Sequence, residues 1–322
     1  MNEVIPVLIL AFNRPDFLEK RLQEITTQSV KPDRIIVSVD GPRTLNDQDV
    51  ESICMIMNIL ESYKTLGVSV IKRERNLGCT NNTIASVGEV LAKYEKIIVL
   101  DDDVSIAPVF YEQMVLAINH FLNHEINPKY KILTIGGFSP FFNNRTNFFT
   151  RYALPKNKWR ATRYFHSWGW ATSRDFWFNL KRLNNESINF DEIFSNSRHW
   201  GQLSERKKTI WKRRFRRSWD YEIQGNLFLQ DGLNIFPYYR IIQNEGLGDQ
   251  RSTHTKFKKP WHIFGRTFSR NTSVLLRLKK SNLFWKLFES NSLAADGWFI
   301  ARGRNKGIRT LAKELFLRDG KK

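Results

Sequence analysis

Two cysteines, Cys54 and Cys79, are all that the 322 residues contain. A disulfide framework or a Cys-rich zinc site needs more, and so few suit a reducing compartment. Long apolar runs are also missing: none approaches the ~18 residues that a spanning helix needs. The opening stretch MNEVIPVLILAFNRPDF holds a short apolar run without a basic leader or a small-residue cleavage site, so it does not read as a signal peptide. A cytoplasmic protein, soluble or peripheral at the inner face of a membrane, is the expectation. No internal repeat is visible. Hydrophobic residues at 41%, aromatics at 13% and charged residues at 26% exclude disordered, collagenous and low-complexity chains.

Acidic residues are scarce relative to basic ones, 32 against 51, giving a net charge of +19. That excess is uneven. Residues 1–150 carry 15 basic and 18 acidic side chains, 151–217 carry 17 and 5, 218–255 carry 2 and 5, and 256–322 carry 17 and 4. Two basic blocks would suit nucleic acid, an anionic membrane surface or phosphorylated ligands, and charge alone does not choose among them.

Ile5–Leu10, Ile35–Val39, Val68–Ile71 and Lys96–Leu100 are short apolar runs, each separated from the next by a helical pattern, with Phe17, Leu18, Leu22 and Ile25, then around 47–65 and 81–93. A further strand is read at 131–136. Unbroken apolar strands alternating with helices predict an α/β fold with a mostly parallel, doubly wound sheet covered on both faces. Ligands of such sheets lie beyond the carboxyl ends of the strands. The residues to inspect there are Ala11 to Arg14, Asp40, Arg73 to Asn76 and Asp101 to Asp103. Aromatic segments such as Phe165–Trp170 follow, then a basic run at 205–217, then Ser218-Trp219-Asp220 opening a helix. Basic, aromatic-studded helices are expected from about 256 on.

Asp101, Asp102 and Asp103 end an apolar strand together, and adjacent like charges raise one another's pKa unless something positive answers them. A divalent cation is one answer: hard oxygen ligands with room for phosphate suit Mg²⁺ or Mn²⁺. Blander readings stand beside this one. The triplet could be a helix cap or a solvated turn, Arg14 a solvated loop residue, Asp40 before Gly41-Pro42 a turn former, and Asn76-Leu77-Gly78 a chain reversal. Trp168 and Trp170, flanking Gly169, read either as a sugar-stacking platform or as core. His254 reads as a metal or diphosphate contact or as a structural histidine.

Taken together, Ile5–Arg14, the strand ending in Asp40, Asn76-Leu77-Gly78 and Val99–Asp103 resemble the nucleotide-sugar half of a GT-A glycosyltransferase, nearest to the N-acetylglucosaminyltransferase I type. Ser167–Trp170, Ser218-Trp219-Asp220, Phe236–Arg240 and Ser252–His254 are similar to later segments of that type. The likeness covers about residues 4–256. It implies a GT-A, Rossmann-like fold with a donor half at 1–135, an acceptor-binding and catalytic half at 136–255 and a basic helical extension at 256–322. It implies further that Ala11, Phe12 and Arg14 line the nucleotide, with Arg75 and Asn76 as weaker contacts. Asp40 would hold the uracil edge, Asp102 would contact the ribose side, and Asp103 would bind the metal, with Asp101 as a further donor-binding residue. Asp220 would be the base, with Glu222 as its rival, because paired aspartates of the type become Asp220-Tyr221-Glu222 here.

The implied activity is metal-dependent, inverting transfer of a sugar from a nucleotide-sugar, with UDP as carrier, to a glycan or lipid-linked acceptor in surface polysaccharide assembly. The basic C-terminal region would dock on anionic lipid, where each nearby Lys or Arg contributes about 1 kcal/mol. A nucleotidyltransferase acting on sugar phosphates would want a Gly-rich phosphate loop after the first strand, and Ala11–Pro15 lacks one. A nucleic-acid-binding protein would leave the acidic triplet unexplained and would show recognition motifs absent here, so no nucleic-acid partner is expected.

Overall fold

The structure is a computed structural model that describes residues 3–122, 125–127, 130–138, 159–183, 188–215, 218–237, 241–246, 249 and 251. Strand β1 (Val7–Ala11) is buried throughout and leads through Pro15, at the first position of the helix, into α1 (Pro15–Thr26). β2 (Ile35–Val39) precedes α2 (Asp47–Tyr63), whose Asn46 side chain caps it by accepting from Asp49 N at 2.9 Å. β3 (Val68–Lys72), α3 (Gly78–Leu91) and β4 (Lys96–Asp101) complete the alternation. β5 (Val104–Ile106), α4 (Phe110–Phe121), β6 (Glu125–Asn127), β7 (Tyr130–Gly136), β8 (Trp159–Thr162) and β9 (Trp170–Ser173) follow. Then come α5 (Arg174–Phe178), α6 (Phe190–Ile193), α7 (Arg198–Gly201), α8 (Glu205–Phe215), α9 (Trp219–Leu229), β10 (Leu233–Pro237) and β11 (Ile242–Asn244).

The sheet runs β3-β2-β1-β4-β9-β7-β10-β8, with β6 beside β7. β3, β2, β1 and β4 are parallel, in the register Val7↔Ile35 and Val7↔Ile98, so the expected doubly wound half is present. β9, four residues long, gives no strand signal in the sequence pattern. It lies antiparallel between β4 and β7, and it carries Trp170 into the sheet's interior. β3 is an edge strand in which only Val68 is buried, although its run reads as apolar.

Alternation along β1 divides the core between the two faces. Val7, Ile9 and Ala11 join α1, α2 and α4 through Leu18, Leu22, Ile53, Ile56, Phe110 and Met114. Leu8 and Leu10 join α3 and α9 through Val87, Leu91, Trp219 and Ile223. Each fully buried side chain of this size contributes ~1.5–3 kcal/mol relative to exposure, so both faces hold β1 in the centre. The extension at 256–322 lies outside the described residues.

Candidate active site

From β1 the chain winds outward to β2 and β3, whereas β4 lies on the other side of β1, so the connection reverses between β1 and β4. A crevice opens at the carboxyl ends of strands at such a point. Asp102 N donates to Leu10 O at 3.0 Å and Asp40 N to Ala11 O at 3.0 Å, which fixes the strand ends. Arg14, just before α1, pairs with Asp102 and donates from Nη1 to Asp103 Oδ2 at 2.8 Å. Its guanidinium also covers the Phe17 ring at 5.4 Å. Burial alone would pull Arg14 down, and the charges of Asp102 and Asp103 reverse that, holding it well above its ordinary value. Desolvation pushes Asp101 and Asp102 upward; Asp101 has the charges of Asp103 and Asp102 added, while Arg14 pulls Asp102 back. The positive answer that the triplet requires thus comes in part from the chain itself.

A second arginine backs the turn. Arg21 has no exposed surface, pairs with Glu24, approaches Glu245 at 3.5 Å and points Nε at the Asp102 carbonyl at 3.4 Å. Glu24 in turn accepts from Ile106 N at 2.8 Å, and Glu245 N donates to Asp103 O at 2.7 Å. β11, antiparallel to β5, thereby lays residues 244–246 along the acidic turn. Sequence reading missed Arg21, although it falls on the face of α1 marked by Leu18, Leu22 and Ile25, where an arginine needs a buried partner. The approach of 244–246 has no local signal.

Asp40 is buried, and its carboxylate accepts from Gly41 N, Leu77 N, Gly78 N and Asn76 Nδ2 at 2.9 to 3.2 Å. Four donors fill the roughly four acceptor sites of a carboxylate, so Asp40 shapes the 76–78 turn and has no acceptor left for a uracil edge. Gly41 is needed there: a Cβ would meet Arg75 C at 2.4 Å. Asn76 also donates to Gly41 O at 2.8 Å, whereas the Arg75 side chain is exposed. Ala11 is buried at the end of β1, and the Phe12 ring lies under Arg43 at 5.5 Å.

Further along the chain, α9 begins after Ser218, whose backbone is extended (φ −159°) and whose hydroxyl bonds Asp220. The charge of Asp220 is felt at Asp101, and both carboxylates bear on the Cys79 thiol in the first turn of α3. Glu222 points elsewhere. It is buried, accepts from Leu183 N at 3.1 Å and pairs with Arg182 at 3.3 Å, so it braces the 181–183 segment and is not a rival base. Trp170 is also corrected: it is 1% exposed and packs on Phe165, Trp177 and Trp219 as core. Trp168 turns to the opposite face beside Phe138 and His166. Gly169, between them, takes φ +57° and accepts at its carbonyl from Gly137 N at 2.6 Å, a conformation that suits glycine. His254 lies outside the described residues.

Among the described residues no three His, Cys, Asp or Glu side chains converge as a cation cage. Asp103 instead offers a carboxylate at the crevice; Asn244 Nδ2 donates to its Oδ1 at 3.4 Å, and Asn244 Oδ1 is a buried oxygen without a hydrogen-bond partner among the described residues. This hard, oxygen-only and incomplete set fits Mg²⁺ or Mn²⁺ bound through one or two protein ligands plus substrate phosphates.

Likenesses to solved structures are partial. The mannosyltransferase PcManGT of Pyrobaculum calidifontis, solved with GDP-Man and Mn²⁺, is 14% identical at TM-score 0.38 over 56% of this chain and 47% of that one. Glucosyl-3-phosphoglycerate synthase of Mycobacterium tuberculosis, solved with Mn²⁺, UDP and glucosyl-3-phosphoglycerate, is 16% identical at TM-score 0.31 over 54% and 58%. Residues 1–349 of S. aureus TarS, solved with UDP-GlcNAc, are 16% identical at TM-score 0.31 over 41% and 33%. The chain therefore spans between a third and three fifths of these proteins. No curated protein matches it by sequence. Residues 7–175, more than half of the chain, match the family described as Glycosyl transferase family 2, and by that match, which takes in β1 to β4, the crevice and the acidic turn, the chain belongs to glycosyl transferase family 2.

Proposed function

We propose that the protein transfers a sugar from a nucleotide-sugar, with UDP as carrier, to the hydroxyl of a glycan or lipid-linked acceptor, with inversion. The observation that carries this reading is that Asp220, in the first turn of α9, lies close enough to Asp101, at the end of β4, for its charge to act there. Residues 1–135 form the donor half, 136–255 the acceptor half, and 256–322 a basic extension. Ala11, Phe12, Asn76 and Arg75 border the nucleoside, Asp102 the ribose side with Asp101 next to it in the donor site, and Trp168 with Gly169 the sugar. Asp220 takes the proton of the acceptor hydroxyl as its oxygen attacks the anomeric carbon from the face opposite the leaving diphosphate, a role typically contributing ~10²–10⁴-fold. Asp103 with Asn244 would hold Mn²⁺ or Mg²⁺, which when bound offsets charge on the diphosphate. Arg14 supplies further positive charge on the same side.

Calorimetric titration of UDP and GDP, with and without Mn²⁺, into the protein and Asp103→Ala tests the donor half. Metal-dependent UDP binding lost in the variant is the expected result; no nucleotide binding under any metal overturns it. The likeness to the N-acetylglucosaminyltransferase I type supports UDP over GDP. Docking on anionic lipid at the inner membrane face in polysaccharide assembly is supported by the charge of 256–322 and by α8, where Arg206, Lys207, Lys208, Lys212, Arg213 and Arg214 accompany a single acid, Glu205. Deleting 256–322 is expected to weaken co-sedimentation with anionic liposomes. No helix among the described residues is long and apolar enough to cross a membrane.

A further inference from the structure

Two arginines reach the acidic turn, and their surroundings differ. Arg21 is sealed, its guanidinium shared among Glu24, Glu245 and the Asp102 carbonyl. Arg14 keeps 17% of its side chain exposed at the crevice; among the described residues its guanidinium contacts Asp102, Asp103 and the Phe17 face, its charge also reaches Asp249, and no backbone carbonyl accepts from it. Its Nη1 occupies Asp103 Oδ2, an oxygen of the residue best placed to hold a divalent cation.

We propose that Arg14 is an exchangeable counter-ion: it neutralises Asp102 and Asp103 by itself, and it passes from Asp103 to the donor's diphosphate when cation and nucleotide bind together. This rests on the donor-site reading given above. A guanidinium and a divalent cation on one carboxylate would repel at hydrogen-bonding distance in a site largely shut off from water, so Arg14 yields Asp103 to the cation. A diphosphate gives it a new bidentate acceptor close by, whereas metal alone gives it none. Asp102, only 1% exposed, keeps Arg21 as a neighbouring positive charge after Arg14 leaves. Metal and nucleotide are therefore coupled through one side chain, which the cation displaces from Asp103 and the diphosphate receives, and the coupling is reciprocal.

The experiment measures Mn²⁺ binding to the full chain by electron paramagnetic resonance of free Mn²⁺, with and without UDP, in wild type, Arg14→Met and Arg14→Lys. Wild type is expected to bind Mn²⁺ weakly alone and more tightly with UDP, by a factor within the usual range of about 5–150. Arg14→Met is expected to bind Mn²⁺ alone at least several-fold more tightly than wild type and to lose most of the UDP effect, with Arg14→Lys between the two. Asp103→Asn combined with Arg14→Met should abolish the gain, which ties it to that carboxylate. Melting temperatures identify a variant that fails to fold, and Arg14→Lys then carries the comparison. Arg14 variants that bind Mn²⁺ alone no more tightly than wild type, or that keep the full UDP effect, overturn the exchange, as does Mn²⁺ binding to none of the proteins. If UDP binds nothing while Arg14→Met still gains Mn²⁺, the donor reading falls and the competition for Asp103 stands.

Discussion

Gly246 lies so close to Asp103 that a Cβ on it would sit 2.0 Å from Oδ2 and 2.7 Å from Cγ. No rotamer of a larger residue avoids that atom, because the Cβ position follows from the backbone. Either Asp103 or the 244–246 segment must shift. Both are held: Glu245 N bonds Asp103 O, and β11 is paired to β5. Gly246→Ala is expected to reduce metal-dependent UDP binding by roughly tenfold or more, as a single displaced ligand does, while the melting temperature falls only modestly. Calorimetry beside thermal unfolding checks it; wild-type UDP affinity in the variant would show that Asp103 need not keep this position.

A second prediction concerns pH. His199 is 3% exposed, donates from Nε2 to Gly232 O at 3.0 Å, stacks on Tyr130 at 5.2 Å, and has Nδ1 buried without a hydrogen-bond partner among the described residues. Desolvation, then the charge of Arg163, pushes it down to about 4. The folded state therefore keeps it neutral, and the unfolded chain takes up the proton near pH 6.5. Its contribution is full above that value and is lost as pH falls toward 4, an effect of about 3 kcal/mol at ~1.36 kcal/mol per unit. Urea unfolding at pH 7 and pH 4.5 should show the loss in wild type. His199→Gln, which has no proton to gain, should show a markedly smaller one.

How much of this was legible is clearest at the crevice. Arg14, Asp40 and Asp101–Asp103 could be picked out because parallel strands read as apolar runs and the polar residues just beyond them must face the crevice. Their partners could not be. Whether Asp40 faces a ligand or its own loop depends on the return of Asn76–Gly78 thirty-six residues later, and Asn244–Gly246 reach Asp103 only through the β5–β11 pairing. Trp168 and Trp170 alternate as strand residues do, yet that Trp170 is the one fully sealed was set by α3 and α9 packing on its face. Short, mixed-polarity elements such as β9 and α7 gave too few repeats for a period to show.

Asp220 and Glu222 sit two residues apart on α9 and point to different surroundings, so their substitution should separate activity from stability. Asp220→Asn removes a proton acceptor while leaving UDP and metal binding intact, and sugar transfer or slow donor hydrolysis should fall ~10²–10⁴-fold. Glu222→Gln breaks the contact with Arg182 and weakens that with Leu183 N, costing about 1–3 kcal/mol of stability, with transfer per folded molecule changed little. Equal losses of transfer in both variants, each still folded, would return Glu222 to candidacy as the base.

The carboxylate of Asp40 collects three backbone N–H groups and the Asn76 amide, and one of those donors, Gly78 N, belongs to the first residue of α3. Asp40→Asn keeps the volume but turns an amide NH₂ toward some of these donors, so at least one buried N–H loses its acceptor. Since a buried donor left unsatisfied costs ~1–3 kcal/mol, the variant should unfold at lower urea by about that amount. A loosened 76–78 turn would also weaken nucleotide binding. The telling quantity is the ratio between bases. If Asp40 acts through the turn, UDP and GDP affinities fall together and their ratio stays near the wild-type value. A selective loss of UDP would instead mean that the carboxylate gives up one of its chain donors to bind uracil directly.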